Sequence, residues 1–412
     1  MDLVTEREGK RSSRPQGAQV TSGMESLPRE IAIDILSRLP ITSLMQFKCV
    51  CRAWRLLAQD PRLPIMHLAL STENNPCLIL HCDYPIRNQL YFVEIDATNG
   101  YTEAVRKIKT PFGSVMPEFD IAGSSNGLLC LSDALYCDPV HIYNPFTGYY
   151  IELPKLNQYT DQEVVFEFGF HLELKVYKVV RIVYTGLLGR AGYKKSVVQV
   201  FTLGTNTWRN RGHVPYQIDR RRPSEALVNG ALHWVTRRRR VALSQLIVSF
   251  DLADEEFREV PRPECGGLDK CTYHLVVLGG CLSAAVYCTD GRIEVWVMKD
   301  YNVKESWIKE FTVGSYVPVG LNQDVDRPPF SIWKNGLSGR LVRLLCLLKN
   351  GDILLEYKSK ALVSYDPERQ DFKDLTIRRL PNWFQTFIHV GSLISVDGLL
   401  GQKDEQKGEE IR

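Results

Sequence analysis

Charge of either sign is scarcely in excess in this 412-residue chain: 51 Lys and Arg stand against 48 Asp and Glu, a net charge of +3. A general nucleic-acid binder carries a strongly basic face, so this balance argues against direct contact with nucleic acid. No apolar run approaches the roughly 20 residues that span a bilayer, and the N-terminal stretch is polar and charged, which argues against a membrane span or a secretory signal. Missing too are a Gly-x-Ser-x-Gly elbow, a phosphate loop and a Gly-rich dinucleotide fingerprint, so the usual sequence support for an enzyme is lacking. The eleven cysteines show no paired Cys-x-x-Cys spacing. Cys77 and Cys82 flank His81, and Cys265 and Cys271 lie near His274, but neither set makes a convincing zinc site. An odd number of scattered cysteines fits reduced thiols, hence a soluble protein of the cytoplasm or nucleus. Neither metal nor cofactor is expected.

What is present fits a folded chain of two or three domains, with 44% hydrophobic and 24% charged residues. Residues 1–22 contain almost nothing to bury and are expected to form a disordered leader; residues 402–412 are nearly all polar and are expected to fray likewise. A domain is expected over residues 23–70 and a second over 71–401.

The first domain turns on the run from Ser26 to Pro40. Ser26 suits a helix N-cap and Pro28 the first turn, where its missing N–H would be unpaired anyway. Ile31, Ile35 and Leu39 recur every fourth residue with Leu36 beside them, while Arg29, Glu30, Asp34 and Arg38 fall elsewhere, so an amphipathic helix is expected to end at Pro40. Thr42 and Ser43 suit the cap of a second helix carrying Leu44 and Phe47, and a third carries Trp54 before Pro61 closes the segment. Three short helices cannot hide this many apolar residues, which calls for a partner surface.

This pattern resembles an F-box: Leu27-Pro28, Ile31, Ile35-Leu36, Arg38-Leu39-Pro40, Leu44, Phe47, Cys49-Val50-Cys51 and Trp54 fall at that family's characteristic stations. The resemblance implies docking on a Skp-type adaptor, and through it a cullin-based ubiquitin ligase. The residues it implies for docking are Leu27, Pro28, Ile31, Ile35, Leu36, Leu39, Pro40, Leu44, Val50 and Trp54.

From Pro76 onward short runs of Val, Ile, Leu, Tyr and Phe alternate with turn residues, and no convincing long helix appears after Leu70. Asn126-Gly127, Asn229-Gly230, Asp290-Gly291 and Asn350-Gly351 precede apolar runs and mark tight hairpins. Six other stretches join an aromatic-bearing strand to an outer one through a polar turn: Tyr91–Asp96, His141–Pro145, Val198–Thr202, Ile247–Asp251, Val295–Met298 and Leu362–Asp366. Their turns recur at roughly 48 to 66 residues, near the period of propeller blades. Two hairpins per repeat make four strands, and about six repeats make a β-propeller, with seven blades as the alternative. Phe387–Val396 can complete a blade begun near Cys77–His81 and so clasp the ring. The fold class is therefore α+β multidomain, a short three-helix F-box followed by an all-β propeller of about six blades.

Ser124–Cys130 followed by Ile142–Gly148 and Leu153-Pro154 resembles the opening of the F-box-associated region of plant F-box proteins, related to kelch propellers. The regular Gly-Gly and Trp stations of true kelch repeats are missing, and Gly279-Gly280 stands alone. The two resemblances together imply the substrate-recognition subunit of a Skp-cullin-F-box ligase, non-catalytic itself, whose propeller captures a target protein for ubiquitination. A propeller enzyme or ligand-binding propeller with a packed helical prefix is the competing account, and an adaptor-bound protein outside any ligase a third. Trp208, Trp234, Trp296, Trp307 and Trp333 are expected to pack blades. Arg220, Arg221 and Arg222, with Arg237, Arg238, Arg239 and Arg240, flank one hairpin; they read as solvated loops, or as a basic patch for nuclear import or an acidic partner.

Overall fold

The computed structural model describes residues 27–71, 76–82, 88–95, 101–102, 105–158, 162–187, 193–218, 226–238, 245–264, 272–319, 321 and 342–395. The expected leader (1–22) and tail (402–412) lie outside the described residues, as does Ser26.

Four helices open the described chain: α1 (Arg29–Ser37), α2 (Ile41–Phe47), α3 (Arg52–Ala58) and α4 (Arg62–Ser71). The fourth corrects the three-helix expectation. Pro61, expected to close the segment, falls just before α4, and Pro64 lies within its first turn, where a missing N–H costs no hydrogen bond. Asp60 starts that helix, since its Oδ1 accepts the Arg62 N–H at 2.9 Å. Nor do Thr42 and Ser43 cap α2. Pro40 takes that position without a side-chain cap, and the Thr42 hydroxyl instead lies 3.3 Å from both carboxylate oxygens of Glu94.

Beyond the helices lie six antiparallel blades around one axis. The first is ordered Phe384–His389, Cys77–Cys82, Gln89–Glu94, Arg106–Ile108 from inside outward. The clasp therefore forms as expected, with Leu78 paired to Ile388 across the ends of the ring. The remaining five blades start at Phe119, Gln162, Ala226, Thr272 and Val342.

Each of the six polar-turn stretches supplies a third strand leading into the fourth. The reason is local chemistry repeated at equivalent strand ends. Asn144 Oδ1 accepts the Phe146 and Thr147 N–H groups (2.9 and 3.2 Å), Asp251 Oδ1 those of Ala253 and Asp254 (2.7 and 3.3 Å), and Asp366 Oδ1 those of Glu368 and Arg369 (2.9 and 3.0 Å). A short polar side chain that closes the turn on itself fixes where the strand ends. Asn126-Gly127 and Asn229-Gly230 form two-residue turns with both residues left-handed (φ 45° and 84°, 49° and 73°). Gly279-Gly280 does the same in the fifth blade. Asp290-Gly291 and Asn350-Gly351 sit instead in longer connections.

Blade faces pack in the way the tryptophans suggested. Trp234 donates to Glu167 Oε1 of the preceding blade at 2.9 Å, and Trp208 and Trp307 donate at 2.9 Å to the carbonyls of Pro154 and Pro261 in the strand-free connections beside them. Trp333 lies outside the described residues.

Two buried histidines make this core sensitive to acid. Burial pushes His389 down to about 3 and His233 to about 4; His389 Nδ1 lies 2.9 Å from Ser124 Oγ, and His233 Nε2 lies 2.8 Å from Tyr301 Oη. Below pH 6.5 the unfolded chain takes up protons that the folded chain refuses, so stability falls as pH falls toward those depressed values. The two rings together should cost about 3 kcal/mol between pH 6.5 and pH 5. Thermal unfolding followed at pH 7 and pH 5 should show the drop, and the double variant His233→Gln/His389→Gln should show a visibly flatter profile. An unchanged slope in that variant would contradict the assignment.

Candidate functional site

Helix α1 carries two apolar stripes. Ala32, Ile33 and Leu36 turn inward and are buried, whereas Leu27, Ile31 and Ile35 point outward and keep 37%, 50% and 40% of their surface exposed. Val50, in the connection from α2 to α3, is 61% exposed. Pro28 and Pro40 are exposed as well, and Leu39 and Trp54 are half-buried, the Trp54 ring lying flat on Phe47 at 3.7 Å between centroids.

Leu36 and Leu44, both implied as docking residues, are wholly buried. They belong with Ile33, Ile41, Phe47 and Leu63 to one apolar cluster that also contains Ile79, Leu90, Phe92, Phe119 and Phe387 of the propeller. Their role is therefore to seat the helices on the ring, and a partner could reach them only by unfolding that seat. The exposed apolar residues Leu56 and Ile65 were not anticipated. Nothing in the run Trp54-Arg55-Leu56-Leu57 distinguishes the leucine that turns outward from its neighbour.

Polar contacts hold this face rigid. The buried carboxylate of Asp60 takes hydrogen bonds from Arg62 Nε (3.1 Å) and Nη2 (3.0 Å) and from Arg29 Nε (3.0 Å), tying the first turn of α1 to that of α4. Those bonds, Arg62 foremost, hold the Asp60 carboxyl well below the usual carboxylate range. Farther along, His67 Nε2 lies 3.0 Å from the Leu39 carbonyl, closing α4 onto the end of α1. Ile41 of α2 lies directly against Gly391: a Cβ there would sit 2.6 Å from Ile41 Cγ2.

An exposed stripe of this kind costs nothing to form but leaves unused free energy. A large aliphatic side chain buried completely contributes roughly 1.5 to 3 kcal/mol, so covering what remains bare on Leu27, Ile31, Ile35 and Val50 is worth about 3 to 5 kcal/mol to a complex. Rigid, central apolar anchors are what protein interfaces draw most of their affinity from.

Elsewhere the candidate residues assemble less. Cys77 and Cys82 stand at opposite ends and on opposite faces of one strand, so they do not form a ligand pair with His81 between them; burial pushes the Cys77 thiol up to about 12. Cys265 and Cys271 lie outside the described residues. So do Arg220, Arg221, Arg222, Arg239 and Arg240, while Arg237 and Arg238 are described only by their backbone pairing with Gln217 and Tyr216. The channel on the propeller axis is a cavity of about 90 Å³ between Gly123, Phe168, Leu227, Arg343 and Thr386. That is room for a few water molecules. Arg343, beside it, lies 3.8 Å from Glu356 and donates to the Thr386 carbonyl.

Comparison with known proteins agrees with this division of the chain. A family model described as F-box-like matches residues 24–63, and one described as F-box associated beta propeller domain matches residues 78–396. The F-box protein At3g07870 of Arabidopsis thaliana is 51% identical over 401 residues, covering 92% of this chain and 94% of that one. The F-box protein CPR1 of the same plant is 29% identical, covering 90% and 89%, and its F-box/kelch-repeat protein At3g23880 is 27% identical, covering 70% and 79%.

Proposed function

Because the chain belongs to the F-box proteins that carry an F-box associated β-propeller domain, we propose that it is the substrate-recognition subunit of a Skp-cullin-F-box ubiquitin ligase. The observation that carries this reading is the uncovered apolar stripe of Leu27, Ile31, Ile35 and Val50 on helices that otherwise share the propeller's core. A Skp-type adaptor covers that stripe and links the chain to a cullin, and the propeller holds the target.

In this role the chain performs no bond-making of its own. It raises the effective concentration of the target's lysines beside a ubiquitin carrier bound elsewhere in the assembly, which turns a bimolecular encounter into a local one. Rigidity matters for such a part. The core continuous from Leu36 and Leu44 to Phe92 and Phe387 fixes the propeller's orientation relative to the docking stripe.

The test is reconstitution. The full chain mixed with a purified Skp-type adaptor should elute as a one-to-one complex, and adding the cullin should retain all three. Separate elution of chain and adaptor at micromolar concentration would refute the assignment. Deleting residues 24–71 is a poor control, because it would strip Ile33, Leu36, Ile41 and Leu44 from the first blade and expose the propeller core to water.

A further inference from the structure

The turn joining the second strand of the second blade to the third throws its two largest side chains into water. Leu135 and Tyr136 are 65% and 72% exposed, while Ala134 and Cys137 on either side of them are buried. Turn tips ordinarily carry small or polar residues, so a bare leucine next to a bare tyrosine asks for a reason.

The backbone beneath them is fixed. Asp133, itself buried, accepts the Leu135 and Tyr136 N–H groups at Oδ1 (2.9 and 2.6 Å), and its carbonyl accepts the Cys137 N–H at 3.0 Å. The Ala134 N–H donates to the Glu118 carbonyl and the Asp133 N–H to the Pro139 carbonyl, each at 3.1 Å. Cys137 completes the turn in a left-handed conformation (φ 62°) that residues other than glycine adopt at a cost. Side chains presented on so rigid a tip surrender little freedom when a partner covers them.

The tip stands at the far end of the blade from the helices' seat on the ring. Ser125 pairs with Leu128 beside the turn at Gly127, which lies under Ser392, one residue from the Gly391 that packs against Ile41 of α2. Asp133, paired with Phe119, ends the same hairpin. Five residues of extended chain from Leu128 to Asp133 span about 17 Å. Leu135 and Tyr136 therefore belong to the propeller face turned away from that seat.

Carboxylates flank the tip. Asp138 follows it and Glu118 lies under Ala134, both half-buried, and neither makes an ion pair among the described residues. Burial pushes the Asp138 carboxyl up, more than Lys155 and Arg181 pull it down, and Glu152 and Asp133 push it the same way. Arg181 is already engaged, donating to Gln199 Oε1 (2.7 Å) and the Asn157 carbonyl (3.3 Å). A cation brought from outside would offset the cost that burial places on Asp138.

We propose that the Leu135-Tyr136 tip, with Asp138 and Glu118 beside it, is the docking site for a segment of the target protein that alternates apolar side chains with lysine or arginine. The inference rests on the target-receptor reading above and names the chemistry of what the propeller captures. The leucine and the tyrosine ring take the apolar side chains, and the two carboxylates meet the cations.

Fluorescence anisotropy of the full chain with a labelled peptide alternating Lys and Leu tests this, beside a peptide alternating Glu and Leu. The variant Leu135→Ser/Tyr136→Ser leaves every hydrogen bond of the turn in place and should unfold within about 2 °C of the wild type. A second variant, Glu118→Gln/Asp138→Asn, removes the charges and keeps the side-chain shapes. The wild-type chain should bind the Lys–Leu peptide, more weakly as salt rises from about 0.05 to about 0.5 M, and the Glu–Leu peptide at least tenfold more weakly. The tip variant should bind the Lys–Leu peptide roughly tenfold more weakly or worse, and the charge variant should lose most of the salt dependence. Equal affinity in the tip variant overturns the proposal, as does no binding by the wild type, equal binding of the two peptides, or an unchanged salt dependence in the charge variant. Adaptor capture on the same preparations, expected to be unchanged in both variants, reports on the ligase reading separately.

Discussion

Glutamate at both Ile31 and Ile35 should abolish capture of a Skp-type adaptor, by roughly a hundredfold or more in affinity, while moving the unfolding midpoint by no more than about 2 °C. Both side chains lie on the outward stripe of α1, half open to water, so the folded chain loses little when they become charged. In the complex each carboxylate would be desolvated without a partner, at several kcal/mol apiece. The matching control is Leu36→Ala. Leu36 is wholly buried in the shared core, so that change should leave a cavity costing about 2 to 5 kcal/mol and lower the midpoint, with adaptor capture surviving at temperatures where the chain stays folded. Titration of adaptor onto each variant, beside thermal unfolding, separates the two effects. If the Ile31/Ile35 variant kept its adaptor, the stripe would not be the docking face.

The second large effect concerns the latch that closes the ring. Beyond its turn, Asn144 donates through Nδ2 to the carbonyls of Ser392 (3.0 Å) and Ile394 (2.9 Å), holding residues 390–395 against the second blade. Gly127 lies under the same segment: a Cβ there would meet Ser392 Cβ at 2.0 Å, and its φ of 84° is left-handed. Asn144→Ala leaves buried carbonyls and turn amides without partners, and should cost about 3 to 5 kcal/mol, or about 5 to 10 °C in midpoint. Asn144→Asp keeps the turn acceptor but loses the donor, so it should release the segment while preserving the hairpin. Gly127→Ala should resemble Asn144→Ala. Because Gly391 of the same segment packs against Ile41, both should also make the helices cleave faster under limited proteolysis. Midpoints within 1 °C or so of wild type for all three would show that the latch is not structural.

These two sets of residues also mark what could be read in the sequence. The hairpins were legible because their turns are closed by chemistry within a few residues: Asn144, Asp251 and Asp366 each bind the amides just downstream, and Asn-Gly supplies both left-handed positions itself. The clasp was legible because two apolar runs lacked partners elsewhere. The direction of Leu36 and Leu44 was not. Ile33 and Leu36 on one side of α1, and Ile31 and Ile35 on the other, give the helix two apolar stripes, and periodicity cannot tell which of them its own chain covers. The fourth helix was hidden by Pro61, since proline interrupts a helix in its middle but not at its start.

The central claim is that α1 offers a ready-made apolar stripe to a foreign protein while its other face is already spent on the propeller. Amide hydrogen exchange of the full chain, with and without a Skp-type adaptor, measures this most directly. Binding should slow exchange across Leu27–Ser37 and around Val50 while leaving the propeller strands unchanged, since they stay as they were. Protection that appears only in the propeller, or no added protection anywhere in residues 27–58, would contradict it.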